Sequence, residues 1–455
     1  MPVVQYKGFV ENMARVVIIG AGLTGLSTAY HLEQQGFFDY KILEKEAQVG
    51  GLCRSIHDNG FTFDYTGHLL HINNNYAKEL IDDLVGLDKF NYIKRRSFIY
   101  SHEVFSHYPF QTNLYGLPAT TIADCIKNFI TRKKINNPKT FYQWVLTNFG
   151  AGFAKHFFIP YQEKQFCRSA RTFSAQWTGR FVPQTSLEDI IRGIQNSQTT
   201  PIGYNSCFYY PKMGGIEIIP NNFAKQLTQQ IHTNHEVKNI NLKNKVITCT
   251  NGTQYPFDIL INTAPLNQIL KKIIDTSSSQ FYSQHKKLAA SSVLNINLGI
   301  ARENISTKHW VYFPEKKYPF YRLGFSSNFS DTITPSGCSS LYIECAYRNT
   351  YSPETIPYAI EQACTALNIK QHEIIAHTII ELPTAYTLYT PWRDTHINKL
   401  LARLQEVGVY SIGRYGSWKY ASMQEALCEG RDIAEHIVGH EKRPLLTKSQ
   451  THVRL

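Results

Sequence analysis

The chain has 455 residues, 43% of them hydrophobic and 18% charged, which predicts a folded globular protein with two or three lobes. Its formal net charge of +12 favours an anionic partner, and since no nucleic-acid-binding motif is recognisable, we expect a phosphate-bearing small molecule. Nine cysteines without C-x-x-C pairs argue against a metal and disulfides, and without a signal or membrane-spanning segment we expect a cytoplasmic protein.

The first predicted unit is a strand, a glycine-rich turn and a helix. Val16–Ile19 are apolar over the length of a strand, Gly20, Gly22 and Gly25 form G-x-G-x-x-G, and Leu26–Gln34 have a helical pattern. In a dinucleotide-binding fold such glycines allow the tight turn, the approach of the backbone to a pyrophosphate and the packing of helix on strand. The unit therefore predicts a dinucleotide site.

A second strand extends this signal. Lys41–Glu44 end in an acid, close to the spacing of about twenty residues expected for a carboxylate that binds ribose. Gly50, Gly51 and Arg54 follow, and from Glu44 onward the stretch resembles the E-x5-G-G-x2-R pattern of FAD enzymes related to amine oxidases. In those enzymes the glycines approach the second phosphate. The resemblance implies that the dinucleotide is FAD.

Beyond this unit the pattern changes several times. Gly60–His68 predict a strand that runs into a glycine turn, residues 75–85 predict a helix, and Ser97–Phe110 predict a hairpin. From about residue 115 to 200 the apolar spacing is helical, with few strand signals. We therefore predict that a helical lobe is inserted into the first fold.

The second half of the chain begins with a predicted helix, Pro220–Ile231, and continues mainly as strands. The strands expected to return to the first fold are Val237–Ile240, Val246–Thr250 and Ile259–Asn262, with a hairpin turn at Asn251-Gly252. The strands that predict a second, antiparallel sheet are Ser291–Ile300, Trp310–Pro314 and Leu341–Tyr347. The last expected strand is Gly408–Ile412, and the helix after it places on one face Met423, Ala426, Leu427, Gly430, Ala434 and Ile437.

Together these elements predict an α/β protein: a Rossmann-like FAD-binding domain of the GR2 flavoprotein type, an inserted helical lobe and a mostly antiparallel substrate domain. The expected segments are an extension at 1–14, the FAD-binding domain at 15–75, 205–270 and 405–440, a hairpin and helical insertion on the substrate side at 76–204, the antiparallel-sheet domain at 271–404, and a loose basic tail at 441–455. We hypothesise that residues 1–12 are dispensable, because the first strand has a natural start at Met13.

Five segments in order along the chain carry a more specific resemblance. They are Tyr108–Asn113, Pro138–Trp144, Trp310–Glu315, Pro319–Arg322 and Gly413–Tyr420. They resemble UDP-galactopyranose mutases, particularly the eukaryotic-type branch and its bacterial relatives, and the likeness runs from about residue 15 to 440. That family uses the N5 atom of reduced FAD to interconvert the pyranose and furanose forms of a nucleotide sugar. The resemblance implies reduced FAD, a UDP-sugar substrate and NAD(P)H as a candidate reductant.

The resemblance also implies roles for individual residues. Catalytic roles fall to His68, Arg322 and Tyr420. Contacts to FAD fall to Gly20, Gly22, Gly25, Glu44, Gly50, Gly51, Arg54, Val237, Arg414 and Met423. Tyr108 and Gln111 correspond to positions that hold uridine, and the other expected substrate positions are Gln162, Phe166, Arg180, Tyr312, Arg322, Tyr386 and Tyr420. Arginine and tyrosine are suitable donors to a diphosphate on which charge develops.

Several positions depart from the family's pattern. Phe181 stands where the family has a second arginine for the diphosphate, and Arg180 precedes that position by one residue. Gln162 and Phe166 replace an asparagine and a tryptophan, and Gln424 lies where the family usually has an Asn-x-Asp-His segment. The cofactor half of the pattern is therefore well kept, whereas the substrate half is partly rewritten.

Two other classes of function remain open at this point. An oxidoreductase of the amine oxidase or protoporphyrinogen oxidase type would share the flavin domain and would need an apolar, aromatic pocket. Against it, Gly413-Arg414 occupy the place where those oxidases usually have an acid in their last glycine motif. The third class is a flavin-binding protein that has lost its chemistry, which the altered substrate positions would allow.

Overall fold

The computed structural model describes residues 16–196, 203, 205–274 and 278–441. The expected amino-terminal extension and the tail beyond residue 441 lie outside the described residues. The strands are β1 (Val16–Ile19), β2 (Tyr40–Leu43), β3 (Ser55–Asp58), β4 (Phe61–Asp64), β5 (Phe90–Lys94), β6 (Ser97–Ser101), β7 (Val104–His107), β8 (Cys207–Pro211), β9 (Ile231–His232), β10 (Val237–Asn241), β11 (Val246–Cys249), β12 (Gln254–Pro256), β13 (Ile259–Asn262), β14 (Ala290–Ile300), β15 (Trp310–Tyr312), β16 (Arg322–Gly324), β17 (Ser339–Tyr347), β18 (Ile374–Thr387) and β19 (Val409–Ser411).

The helices lie between groups of these strands along the chain. They are α1 (Leu23–Gln34), α2 (Asn75–Leu84), α3 (Ala119–Ile130), α4 (Phe141–Phe153), α5 (Ile159–Phe166), α6 (Leu187–Gln195), α7 (Ile218–Gln226), α8 (Leu266–Lys272), α9 (Ser278–Tyr282), α10 (Thr355–Leu367), α11 (Pro391–Glu406), α12 (Gly413–Gly416) and α13 (Met423–Glu441). A π-helical stretch, Ala154–Phe158, joins α4 to α5.

The first sheet is parallel and has the strand order β19-β13-β1-β2-β9. All four residues of β1 are buried, because layers cover both faces of the sheet. Helices α1, α2, α7 and α13 contribute to the apolar core on one side, and α8, α11 and the β10–β12 meander contribute to the core on the other. This is the expected nucleotide-binding architecture, and the face predicted for α13 is buried as expected.

The second sheet has the order β18-β14-β17-β16-β15-β6-β7 and is antiparallel except where β15 pairs with β6. Helix α10 covers one face of it, and the aromatic core of α3–α6 covers part of the other. The expected fold class is therefore confirmed. The β6–β7 hairpin was expected in the inserted segment, yet it extends this sheet, because β6 pairs with a strand more than 200 residues later.

One predicted element is wrong in part. The helix expected over Pro220–Ile231 ends at Gln226, and Leu227 is already extended. Ile231 and His232 instead form β9, a parallel edge strand beside Ile42 and Leu43. A two-residue strand has no periodic pattern of its own, so only its neighbour in the sheet determines its conformation.

Candidate active site

The glycine turn after β1 has the geometry that a dinucleotide needs. Gly20 has φ +100°, a conformation that side chains other than glycine's rarely adopt. A Cβ at Gly25 would overlap the carbonyl oxygen of Gly20, so α1 can approach the turn closely only with glycine there. Gly22 lies at the N-cap of α1, where free backbone N–H groups and the helix dipole favour an anion.

Glu44 lies at the end of β2 and faces this turn. Its carboxylate oxygens accept hydrogen bonds from the backbone N–H of Ala21 at 2.8 Å and of Glu46 at 2.9 Å, and the residue is 6% exposed. The carboxylate is therefore fixed next to the glycine turn, which is where the sequence predicted a ribose-binding acid.

The second glycine pair lies beside the first turn. Gly22 and Gly50 form a β-bridge, and the Gly50 N–H donates to the Ala21 carbonyl at 2.8 Å. Arg54 holds the pair in place, since its Nε donates to the Gly51 carbonyl at 2.9 Å. We call these two adjacent glycine turns the cradle, in which Gly20, Gly22 and Gly51 are partly exposed, and both motifs fit a pyrophosphate approached from two sides.

Residues expected to contact the two ends of FAD lie in different parts of this cradle. The N–H of His235, two residues before the buried Val237, donates to the Glu44 carbonyl at 2.8 Å, so Val237 lies on the Glu44 side of the cradle. Arg414 lies in α12 after β19, where its Nη1 donates to the Ala421 carbonyl at 3.0 Å. Met423 begins α13 nearby and is buried.

A row of polar side chains crosses the second sheet. Tyr312 pairs with Arg322, Arg322 with Glu344 and Glu344 with Asn295, on four neighbouring strands. Residues directly opposite each other on paired strands project to the same face of a sheet. The row therefore brings a phenol, a cation, an acid and an amide together from positions that are distant in the sequence.

Arg322 and Glu344 form a two-pronged ion pair within this row. Nε of the guanidinium donates to Oε2 at 2.7 Å and Nη2 to Oε1 at 2.5 Å. The Glu344 side chain has no exposed surface, while the Arg322 side chain is 18% exposed. The pair therefore fixes the direction of the guanidinium and offsets part of its charge before any ligand binds.

His68 is close enough to two cations for their charges to act on it. Burial lowers the pKa of its imidazole to about 4 together with the positive charges of Arg414 and Arg322, against a hydrogen bond with the Tyr65 backbone that raises it. Its Nδ1 lies 3.2 Å from the Thr66 hydroxyl. The imidazole is thus neutral at pH 7, and His68 connects the Arg414 end of the cradle with the Arg322 row of the sheet.

The depressed pKa of His68 predicts a pH dependence of stability. Because the folded-state pKa lies below the unfolded value of 6.5, the folded protein binds fewer protons, so stability is lost as the pH falls from about 6.5 towards 4. His68→Asn is expected to reduce that loss. Urea denaturation at pH 7, 6, 5 and 4.5 measures it, and equal slopes for both proteins would contradict the assignment.

Tyrosine rings lie next to Arg414 and next to the row. The Tyr420 ring centre lies 5.3 Å from the Arg414 guanidinium and 6.4 Å from the ring of Tyr386. The rings of Tyr108 and Tyr312 are 5.2 Å apart, and the Trp310 Nε1–H donates to the Tyr312 hydroxyl at 2.8 Å. The structure thus brings together most of the expected substrate tyrosines with both arginines.

The other expected substrate residues have different surroundings. Gln111 is 1% exposed, and its Nε2 donates to the Pro183 carbonyl at 2.6 Å. Gln162 is 9% exposed, and its Oε1 has no hydrogen-bond partner among the described residues. Phe166 packs near Tyr386, with ring centres 6.2 Å apart. The side chain of Arg180 lies outside the described residues.

Phe181 and Gln424, two of the positions that depart from the family's pattern, each make specific contacts. The ring of Phe181 meets that of Tyr420 edge-on at 6.0 Å. Gln424 accepts hydrogen bonds through Oε1 from the backbone N–H groups of Asn73 and Asn74, at 2.7 and 3.2 Å. Gln424 therefore supports the chain that follows the His68 loop.

Sequence reasoning missed Glu344, Asn295 and Tyr342. Glu344 and Asn295 are polar residues flanked on both sides by apolar ones in their strands, a pattern that could have indicated a buried polar row. The Tyr342 ring lies over Gly324, and its hydroxyl reaches Gly67, where a Cβ would collide with it. Tyr342 therefore connects the sheet to the loop that carries His68.

In the part of the chain that the structure describes, no helix has both the length and the apolar composition to cross a membrane. Nor do the described histidines, cysteines and acids include three or more that are grouped to hold a metal ion.

Comparison with known proteins gives matches over most of the chain and over shorter stretches. The profile of the family of flavin-containing amine oxidoreductases matches residues 23–438. A crystal structure of reduced UDP-galactopyranose mutase is similar with a TM-score of 0.88 and 28% identity, covering 94% of this chain and 96% of that one.

Curated sequences match over shorter stretches. Protoporphyrinogen oxidase 2 of Arabidopsis thaliana is 34% identical over 70 residues, 15% of this chain and 14% of that protein. A 4,4'-diapophytoene desaturase of Staphylococcus aureus is 31% identical over 91 residues, 20% of this chain and 18% of the desaturase. The chain thus matches less than a fifth of the length of these two enzymes.

Proposed function

Because the chain belongs to the family of flavin-containing amine oxidoreductases, we propose that it is an FAD enzyme of the UDP-galactopyranose mutase type. The amino-terminal cradle binds FAD, and the sheet row beyond it binds the diphosphate of a UDP-sugar. The enzyme then interconverts the pyranose and furanose forms of that sugar.

The observation that carries this proposal is the cluster of cations and phenols around His68. Arg322 and Arg414 both act on the His68 imidazole, the rings of Tyr386 and Tyr420 lie 5.9 and 5.3 Å from the Arg414 guanidinium, and Tyr312 is paired with Arg322 on the neighbouring strand. Such fixed cations and donors suit an anionic leaving group, whereas transfer of hydride from an apolar substrate requires no such donors. Similarity to the mutase over nearly the whole chain supports the same choice.

The chain's own residues have distinct tasks in the proposed reaction. Reduced FAD, when bound, supplies a nucleophilic N5 atom. Arg322, held in one direction by Glu344, binds the phosphate oxygens on which charge accumulates as the sugar bond breaks. Tyr108 offers an aromatic face to uracil. His68, neutral at pH 7, can accept a proton or a hydrogen bond between the two arginines.

A second candidate is an oxidase that transfers hydride to FAD. It is favoured by the curated sequence matches, which are to an oxidase and a desaturase. The aromatic surfaces of Phe166, Trp177 and Phe181 beside Tyr420 and Tyr386 would suit a less polar substrate. In that case Arg322 would serve mainly as the structural partner of Glu344.

One set of measurements separates these functions. The purified protein is expected to be yellow, and failure to bind FAD even after reconstitution would contradict every flavin function. Dithionite-reduced protein should bind UDP and interconvert UDP-galactopyranose and UDP-galactofuranose, with NAD(P)H tested as the physiological reductant. Peroxide release with amines or a porphyrinogen would favour the oxidase instead. Bound flavin without either activity would indicate a flavin-binding protein that has lost its chemistry.

A further inference from the structure

Lys164 occupies an unusual place between the helical lobe and the sheet row. It lies on α5, and its amine donates to the carbonyl oxygens of Phe313 at 2.8 Å, Glu315 at 2.5 Å and Phe320 at 3.2 Å. These three acceptors equal the number of N–H groups on an ammonium. Burial lowers the pKa of this amine to about 7, and the three carbonyl oxygens act in the opposite direction by favouring its charged form.

All three acceptors belong to the loop that joins β15 to β16. We call these strands and their loop, residues 310–324, the Arg322 hairpin. Phe313 directly follows Tyr312, and Phe320 precedes Arg322 by two residues. The lysine therefore binds the backbone of the hairpin close to Tyr312 and Arg322, the two side chains expected to bind ligand. Its three hydrogen bonds go to neither of these side chains.

The same helix touches the hairpin through a second side chain. The Tyr161 ring lies 5.4 Å from that of Tyr312 and 6.3 Å from that of Tyr321. Tyr161 contacts its neighbours through ring packing, which sets no direction by hydrogen bonding. Three hydrogen bonds from one ammonium instead fix both the distance of the loop from α5 and its direction. Lys164 is thus the directional contact between α5 and the hairpin.

We infer that Lys164 is a positioning residue that holds the Arg322 hairpin in its ligand-binding arrangement. It acts through the backbone, so that Tyr312 and Arg322 face the anionic substrate together. That Lys164 assists substrate binding rests on the proposed function, whereas that it holds the hairpin in one arrangement does not.

Hydrogen exchange tests the effect on the hairpin in the FAD-loaded protein without any ligand. Lys164→Met removes three hydrogen bonds from a charged donor, and amides of residues 310–324 are expected to exchange about tenfold faster or more. Lys155→Met is the matched control: this lysine lies in the same lobe, its side chain is 71% exposed, and it pairs with Asp124. Exchange of the hairpin in Lys164→Met that equals wild type would overturn the inference.

Two further measurements complete the test. UDP affinity of reduced Lys164→Met should fall about tenfold while its FAD content stays unchanged. In a protein that already carries Tyr312→Phe, Lys164→Met should cause a smaller loss of UDP affinity, because both substitutions act on one hairpin. Wild type that binds no UDP would refute the proposed function, and the exchange result would still decide the role of Lys164. If Lys164→Met does not fold, Lys164→Gln, a neutral donor, should give intermediate exchange, and wild-type exchange would overturn the inference.

Discussion

Gly25→Ala is expected to abolish stable FAD binding. The new Cβ would overlap the Gly20 carbonyl oxygen, a backbone atom that cannot move without displacing the turn. Since the N–H groups of that turn and of the start of α1 are the expected phosphate contacts, a shift of the helix removes them together. We expect FAD affinity to fall about 100-fold or more, because the new Cβ overpacks the turn and the phosphates lose their backbone contacts.

Reconstitution of apoprotein with FAD, followed by flavin absorbance, measures this loss. Gly439→Ala is the control, because a Cβ there would meet no atom within 4 Å, and it lies in α13 away from the turn. Equal FAD affinity of Gly25→Ala and wild type would show that the turn is not part of the cofactor site. A general loss of structure is detected separately, by comparing far-ultraviolet circular dichroism of the two apoproteins.

Arg322→Ala is expected to lower both stability and ligand affinity. It leaves the fully buried Glu344 carboxylate without its partner, which typically costs about 3–5 kcal/mol of unfolding free energy. It also removes the cation proposed for the diphosphate, and we expect UDP affinity of the reduced protein to fall about 100-fold. Urea denaturation and a UDP titration measure the two effects.

A double substitution separates stability from binding. Arg322→Met with Glu344→Leu removes both charges and fills similar volume, so stability should return to near the wild-type value, as for other buried ion pairs. UDP affinity should remain low, because no cation is restored. Arg192→Ala is the control for loss of an ion pair: its side chain and that of Glu188 are 56% and 82% exposed. Wild-type UDP affinity in the double variant would refute the proposed role of Arg322.

Much of the cofactor cradle could be predicted because its signals are local. Gly20, Gly22 and Gly25 lie within six residues, and the strand and helix that frame them are continuous with them. Spacing alone then indicates that a helix N-terminus faces a phosphate. Glu44 follows at the next strand end, and the structure places its carboxylate at the turn. The family and the fold class followed from these motifs and are confirmed by the comparisons.

The roles of individual substrate residues stay predictions, and the structure changes how some of them are understood. Arg322 is bound to Glu344, so its guanidinium is directed by an acid that sequence reasoning had not considered. Gln111 donates one of its two amide N–H groups to the backbone carbonyl of Pro183, which leaves one donor for uridine. Phe181 stands where the family has an arginine and packs edge-on against Tyr420. The surroundings of Tyr420 are therefore less polar than they would be with an arginine.

Periodicity and glycine spacing act over short stretches of chain, so they were enough to predict the nucleotide-binding unit, the buried face of α13 and the antiparallel character of the second sheet. The contact of Glu344 with Arg322, the extension of the second sheet by the β6–β7 hairpin and the strand conformation of β9 are evident in the folded chain alone. These pairings depend on strand register and shared burial between segments far apart in the chain, and no local pattern specifies which distant partner a strand will choose.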